Sequence, residues 1–229
     1  MSSRKRAPRL PGHRLLRRTT SRMDAFSDGV FAIAITILVL EISVPEGSSD
    51  DLLQAILDQW PSYLAYVVSF ATIGAVWLKH TVVTDLIKNA DQTLLRLNLG
   101  LLLLVSFLPF PTRLVAENIT EGSEPERIAV VFYGIILLLM SSVIGLMWRY
   151  SVRAGLVDDE IDPEDIHAAT KLLAPALGFY VVALAVGFFA PQVAVGIMLL
   201  AAVLFWIPAS VLPIRRKDRH GGDTGDPPA

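Results

Sequence analysis

The sequence predicts an all-α, polytopic membrane protein with six spanning helices in each chain. Of the 229 residues, 53 % are hydrophobic and the mean hydropathy is +0.52, too apolar for an ordinary soluble domain. The charged residues, 18 % of the chain, cluster in bands between long apolar runs. Six of these runs approach the ~20 residues that a helix needs to cross a hydrocarbon core about 30 Å thick.

The predicted spans follow one another with short polar connections. They cover approximately residues 25–44, 60–79, 94–115, 128–149, 170–190 and 192–212. Prolines are expected to interrupt three of them: Pro109 and Pro111 in the third, Pro175 in the fifth and Pro208 in the sixth. Only Ala190-Pro191-Gln192 separates the last two spans, so these should form a tight hairpin.

One membrane domain accounts for nearly the whole chain. Residues 22–213 are expected to form a six-helix domain without an internal repeat, between a basic cytoplasmic tail (1–21) and a disordered cytoplasmic tail (214–229). A cleaved signal peptide is disfavoured because the first apolar run is long and no small-x-small site follows it. A twin-arginine signal at Arg17-Arg18 is disfavoured because the next residues are not apolar.

The basic residues predict the orientation. With both termini in the cytoplasm, 18 of the 20 lysines and arginines lie on the cytoplasmic side, and only Arg113 and Arg127 lie opposite. The opposite loops carry mainly acidic residues. The expected orientation therefore has both termini in the cytoplasm.

Composition argues against several other functions. The net charge of −2 gives no reason to expect a nucleic-acid partner. The chain has no cysteine, and its four histidines are scattered, so neither a metal site nor a cofactor is expected. No nucleophile–base pair is evident, and the protein is not expected to be an enzyme.

The first span carries both an aliphatic stripe and a carboxylate. Phe26, Val30, Ile33, Ile37 and Leu40 fall on one helical stripe. Asp28 lies about 140° around the helix from Ile33, and a carboxylate on a spanning helix needs a polar partner. In one interpretation the stripe packs in a bundle and Asp28 forms a structural hydrogen bond. In the other, the stripe lines a pore, and Ser27 and Asp28 fasten the helix to its neighbours.

Partners for such fasteners stand at the same membrane depth. Trp77 and His80 are three residues apart near the end of the second span, and Asn98 is near the start of the third. Because successive spans alternate in direction, Asp28, His80 and Asn98 should lie at one level, and we expect Asp28 to contact the other two. Individually, Trp77 could belong to an interfacial aromatic belt and His80 could be solvated.

These residues resemble a known family. Arg22-x-x-x-Phe26-Ser27-Asp28-Gly29, at the start of the first span, is similar to the signature of the transmembrane protein 175 family of potassium channels. Trp77-x-x-His80, Leu97-Asn98-Leu99 and Phe107-Leu108-Pro109-Phe110 follow in that family's order and spacing. The resemblance covers roughly residues 22–111, and the last three spans match only as apolar segments.

The resemblance implies a homotetramer, with four first helices around a central pore. It also implies the cell membrane of a prokaryote, because prokaryotic members have one six-helix unit per chain and this chain has one. It implies a constriction at Ile33, further constrictions at Ile37 and Leu40, and a hydroxyl close to the pore at Thr36. It also implies a network that braces the pore helix. Its members are Arg22, Phe26, Ser27, Asp28, Trp77, His80 and Asn98.

A hydrophobic constriction would discriminate by how readily an ion sheds its water. Potassium should therefore pass more easily than sodium, and rubidium and caesium should also permeate. The chain has no Thr-Val-Gly-Tyr-Gly loop; Thr72-Ile73-Gly74-Ala75 is only faintly similar and lies within a predicted helix. Two alternatives stay open: a secondary transporter, although the first span has no proline and no paired repeat is evident, and a non-conducting scaffold in the lipid bilayer.

Overall fold

The computed structural model describes residues 20–43, 51–119 and 124–206, apart from the side chains of residues 172, 174 and 175. This part of the chain is all-helical, as the composition predicts. Its helices are α1 (Ser21–Ile37, continued by a 3-10 turn, Leu38–Glu41), α2 (Leu52–Asp58), α3 (Trp60–Asp85), α4 (Gln92–Phe107), α5 (Pro109–Asn118), α6 (Glu124–Arg153), α7 (Pro163–Gly187) and α8 (Pro191–Trp206).

Five segments are long and apolar enough to cross a membrane: Ser21–Glu41, Trp60–Asp85, Gln92–Asn118, Glu124–Arg153 and Pro163–Gly187. They correspond to the first five predicted spans. The sixth begins as α8, an apolar helix of 16 described residues, and its remainder, including Pro208, lies outside the described residues. So do residues 1–19 and 214–229 of the predicted tails.

The prolines act unequally. Pro109 divides the third span, because α4 ends at Phe107 and α5 begins at Pro109. Pro111 lies within the first turn of α5, where a missing N–H is tolerated. The predicted interruption at Pro175 is wrong: α7 continues through this position, since the φ angle of proline is compatible with a helix. The predicted hairpin between α7 and α8 is confirmed, with Ala190 N–H donating to the Val186 carbonyl at 2.8 Å.

Helix α3 lies at the centre of the bundle, in contact with α1, α5, α6, α7 and α8. A buried chain of hydroxyls joins three spans. The Tyr133 and Thr112 oxygens lie 2.9 and 2.7 Å from Ser69 Oγ, and Thr112 donates onward to the Leu108 carbonyl. An unpaired hydroxyl is unfavourable in an apolar interior, so these bonds hold α3, α5 and α6 in register.

The end of α8 is bound to the middle of α3. Trp206 Nε1 donates to the Ala71 carbonyl at 2.8 Å, and Lys79 Nζ lies 3.5 Å from the centre of the Phe205 ring. A Cβ atom at position 74 would be 3.0 Å from Cζ2 of Trp206, so glycine allows the indole to approach. Residues 72–75 are thus packed helix and not a filter loop.

Candidate functional site: the first helix and its contacts

Helix α1 has one buried face and one uncovered face. Every three or four residues a side chain points into the bundle, and these are Met23, Ser27, Phe31, Ala34 and Leu38. This stripe packs against α3 and α4. Among the 18 most apolar consecutive residues of the first span, only 28 % are buried within the chain, whereas the corresponding share is 33–56 % in the other four spans. Most of α1 is therefore available for contacts outside the single chain.

The uncovered face carries the predicted constriction residues. Ile33, Ile37 and Leu40 are 59, 40 and 73 % exposed, and they share one stripe. Thr36 is exposed beside them, and its hydroxyl donates to the Ile33 carbonyl at 2.9 Å. Val30, which the sequence places on the same stripe, is only partly exposed because it packs against the core. The exposed face is continuous and apolar, with one hydroxyl.

A directed chain of hydrogen bonds holds the buried face of α1. His80 Nε2 donates to Asn98 Oδ1 at 2.8 Å, because the amide oxygen can only accept. Asn98 Nδ2 donates to Ser27 Oγ at 2.9 Å, and Ser27 donates to the Met23 carbonyl at 2.8 Å. His80, Asn98 and Ser27 are almost completely buried. This chain therefore joins α3, α4 and α1 where α1 begins.

Asp28 has a different partner from the one expected. Trp77 Nε1 donates to Asp28 Oδ1 at 2.8 Å, at the exposed edge of α1 and α3. The expectation that Asp28 contacts His80 and Asn98 is wrong, because Ser27 takes that position. Successive residues on a helix diverge by about 100°, so Ser27 points inward while Asp28 points to the edge. Both residues form hydrogen bonds to neighbouring helices, which agrees with either interpretation of the sequence.

Arg22 and Phe26 lie at the rim of this arrangement. Together with Leu95, Asn98 and Leu99 they line a groove between the start of α1 and α4. Phe26 is 57 % exposed, and among the described residues no ion pair involves Arg22. The hydrogen-bonded network within one chain thus comprises five of the seven predicted bracing residues.

The sequence did not reveal several contacts around this site. The ring of Phe31 lies 5.5 Å from that of His80 and closes the network on one side. Asp91 caps α4 by accepting from Leu94 N–H at 2.8 Å, and it also accepts from the Tyr150 hydroxyl. An aspartate just before an apolar helix is a usual capping signal, but the tyrosine 59 residues away leaves no local pattern. Within the described ranges, no cluster of acidic or histidine side chains is suited to a metal ion.

Sequence comparison with known proteins points to one family. A sequence profile of the family described as endosomal/lysosomal potassium channel TMEM175 matches residues 22–109. A protein of Chamaesiphon minutus named as a potassium channel is 38 % identical over 190 residues, which cover 81 % of this chain and 93 % of that protein. A potassium channel of Streptomyces collinus is 40 % identical over 145 residues, covering 62 % of this chain and 70 % of the relative.

The fold agrees with a solved structure. The crystal structure described as a lysosomal potassium-selective channel TMEM175 homologue from Chamaesiphon minutus superposes with a TM-score of 0.76 at 36 % identity. The superposition covers 84 % of this chain and 98 % of that one. The profile match coincides with the segment that contains α1 and its hydrogen-bonded partners. This chain, a multi-pass membrane protein, belongs to the TMEM175 family.

Proposed function

We propose that this protein is a potassium-permeable cation channel, in which four copies surround an axis and the uncovered face of α1 lines the pore. The observation that carries the proposal is the exposed stripe of Ile33, Ile37 and Leu40 on the least buried span. Its relatives are named as potassium channels, which supports potassium as the permeant ion.

The constriction would act through hydration. An isoleucine ring at position 33 offers no oxygen to replace the water around an ion, so permeation requires a deformed or partly removed hydration shell. Potassium holds its water less tightly than sodium and passes more easily, and rubidium and caesium follow potassium. Ile37 and Leu40 would repeat the apolar ring toward the other membrane face, and Thr36 would place hydroxyls between the rings.

A filter of this kind needs a fixed pore helix, and the polar contacts supply this. A helix that is held by apolar side chains alone can rotate about its own axis. The His80–Asn98–Ser27 chain and the Asp28–Trp77 bond fix the rotation of α1 about its axis. Rotation of α1 would carry Ile33 off the axis. The five bonded residues therefore act on permeation by positioning Ile33 and need no contact with the ion.

Ion flux into liposomes that contain the purified assembly tests the function. A potassium gradient should drive rubidium uptake that does not saturate with substrate, while sodium uptake should be slower. Empty liposomes provide the baseline. If liposomes with well-folded assemblies take up no more rubidium than empty liposomes, the channel function is contradicted. Saturable uptake that is coupled to protons would indicate a transporter.

The proposed orientation places both termini in the cytoplasm of a prokaryotic cell, with six spans in the cell membrane. The chain contains no cysteine, so single cysteines can be placed freely. Cysteines at Ser48 and Ser123 should react with an impermeant thiol reagent on intact cells, and one at Thr224 should react only after lysis. Labelling at Thr224 on intact cells would reverse the orientation.

A further inference from the structure

Two connections meet at the end of the bundle where α1 begins. Residues 86–91 join α3 to α4, and residues 154–162 join α6 to α7. Lys88 N–H donates to the Leu156 carbonyl and Asp158 N–H donates to the Leu86 carbonyl, both at 3.0 Å. These bonds make Ile87 and Val157 an antiparallel pair. We call this pair of connections, residues 86–91 and 154–162, the latch.

Side chains reinforce the latch. Lys88 Nζ lies 3.1 Å from Asp158 Oδ1. Beneath this partly exposed pair, apolar side chains from both connections are buried, namely Leu86, Ile87, Ala90, Leu156 and Ile161. Gly155 ends α6 with a φ angle of +63°, which turns the chain toward the partner connection. The latch is therefore a packed contact with backbone, ionic and apolar components.

Asp91 connects the latch to α4. One carboxylate oxygen caps the first turn of α4, and the other accepts from Tyr150 on α6. Asn98 lies seven residues further along the same helix, which is two turns or about 10 Å. A helix transmits a displacement of its first turn along its length. The position of Asn98, and through it that of Ser27, thus depends on a bond from α6.

We propose that Tyr150 and Asp91 are positioning residues for the pore helix, through which α6 controls the hydrogen bonds that hold α1. This inference rests on the proposed channel function. It assigns a task to α6, which lies outside the segment that the family profile matches. Loosening the latch should alter ion discrimination while leaving the fold assembled.

The first test removes the hydroxyl of Tyr150. Tyr150→Phe keeps the ring and leaves the Asp91 cap intact, so the assembly should elute and melt like the wild type. Under bi-ionic conditions, the potassium-to-sodium permeability ratio should fall at least twofold. Thr170→Val is the matched control, because it removes the acceptor of Trp148 between α6 and α7 without affecting α4. Its permeability ratio should equal that of the wild type.

A double-mutant cycle locates the route of the effect. Ser27→Ala removes the acceptor of Asn98 Nδ2, and so interrupts the path from α4 to α1. In that background Tyr150→Phe should change the permeability ratio by less than half as much as in the wild type. A full effect in both backgrounds would show that Tyr150 does not act through Asn98 and Ser27.

A reversible crosslink provides the rescue. Ile87 and Val157 lie opposite each other, and the backbone hydrogen bonds are made by their neighbours and not between the two residues themselves. In an antiparallel pair of this type the Cα atoms are about 4.5 Å apart, which is close enough for a disulfide. In Tyr150→Phe carrying Ile87→Cys and Val157→Cys, oxidation should restore the wild-type ratio and reduction should remove it again. The cysteine-free chain ensures that this is the only disulfide within one subunit.

The outcomes separate the two proposals. If the wild type does not conduct, the channel function fails. If it conducts and Tyr150→Phe has an unchanged permeability ratio, the positioning role fails and the channel stands. Equal losses in Tyr150→Phe and Thr170→Val, or a loss that oxidation does not reverse, would also overturn the positioning role. If Tyr150→Phe alone does not assemble, the oxidised triple variant is measured in its place. A wild-type permeability ratio in that variant supports the positioning role, and a lower ratio overturns it.

Discussion

Ile33→Asn should keep the channel conducting while abolishing most of its preference for potassium. In the proposed tetramer, four amide side chains at position 33 would offer oxygens to sodium and potassium alike, so the difference in dehydration would no longer select between the ions. The measurement is the reversal potential under bi-ionic potassium and sodium, which should move close to zero. Ile33→Ala should act in the same direction, because it widens the ring and lets ions pass with more of their water.

Val39→Asn is the matched control for this experiment. Val39 is also on the first span and is 51 % exposed, but it lies about 120° around the helix from Ile33. It should therefore leave the reversal potential unchanged. If Ile33→Asn assembles and retains the wild-type reversal potential, Ile33 faces lipid or protein and the constriction lies elsewhere.

Asn98→Leu should destabilise the protein more than any substitution on the exposed face of α1. Leucine has the same branched shape and number of side-chain heavy atoms as asparagine, but it can neither accept from His80 nor donate to Ser27. The His80 N–H is then buried without a partner, which costs about 1–3 kcal/mol. The expected result is a lower thermal midpoint in detergent and partial loss of assembly, together with reduced discrimination in the fraction that survives.

Asn118→Leu controls for the loss of an amide. The Asn118 side chain donates to the Leu114 carbonyl within its own helix and, among the residues that the structure describes, bonds to no other span. Its replacement should therefore have a small effect on the thermal midpoint. Equal effects of the two substitutions would show that the buried chain contributes little, since bonds between spans can be weak when the unfolded state finds other partners.

The sequence predicts the first five spans well because each one is a long apolar segment, and that requirement is local. Pro109 also predicts its break correctly, since a missing N–H stops the preceding helix. At Pro175 the same reasoning fails. The φ angle of proline fits a helix, and α7 continues through this position from Pro163 to Gly187. The short helix α2, capped by Asp51, was not predicted although five of its seven residues are apolar, because a helix of seven residues is far too short to cross a membrane and only spans were sought.

The sequence predicts which residues form the site better than it predicts which of them bond to each other. Helical depth places Asp28, His80 and Asn98 at one level, and this much follows from alternating spans. Which of Ser27 and Asp28 faces α4 depends on the rotation of α1, which the packing of Phe31 and Met23 determines. The latch could not be predicted, because its bonds join backbone groups separated by about 70 residues, and such pairs carry no residue pattern.

The exposed stripe of α1 has a consequence for how such proteins can diverge. Within one subunit, Ile33, Ile37 and Leu40 contribute little to the core, so changing them should leave the protomer's folding almost intact. Evolution, or a protein engineer, could therefore sample new ion preferences at these three positions without first finding compensating mutations. Random libraries confined to this stripe should yield a high fraction of expressed, correctly inserted variants, whereas libraries at Ser27 and Asn98 should be depleted at the expression step.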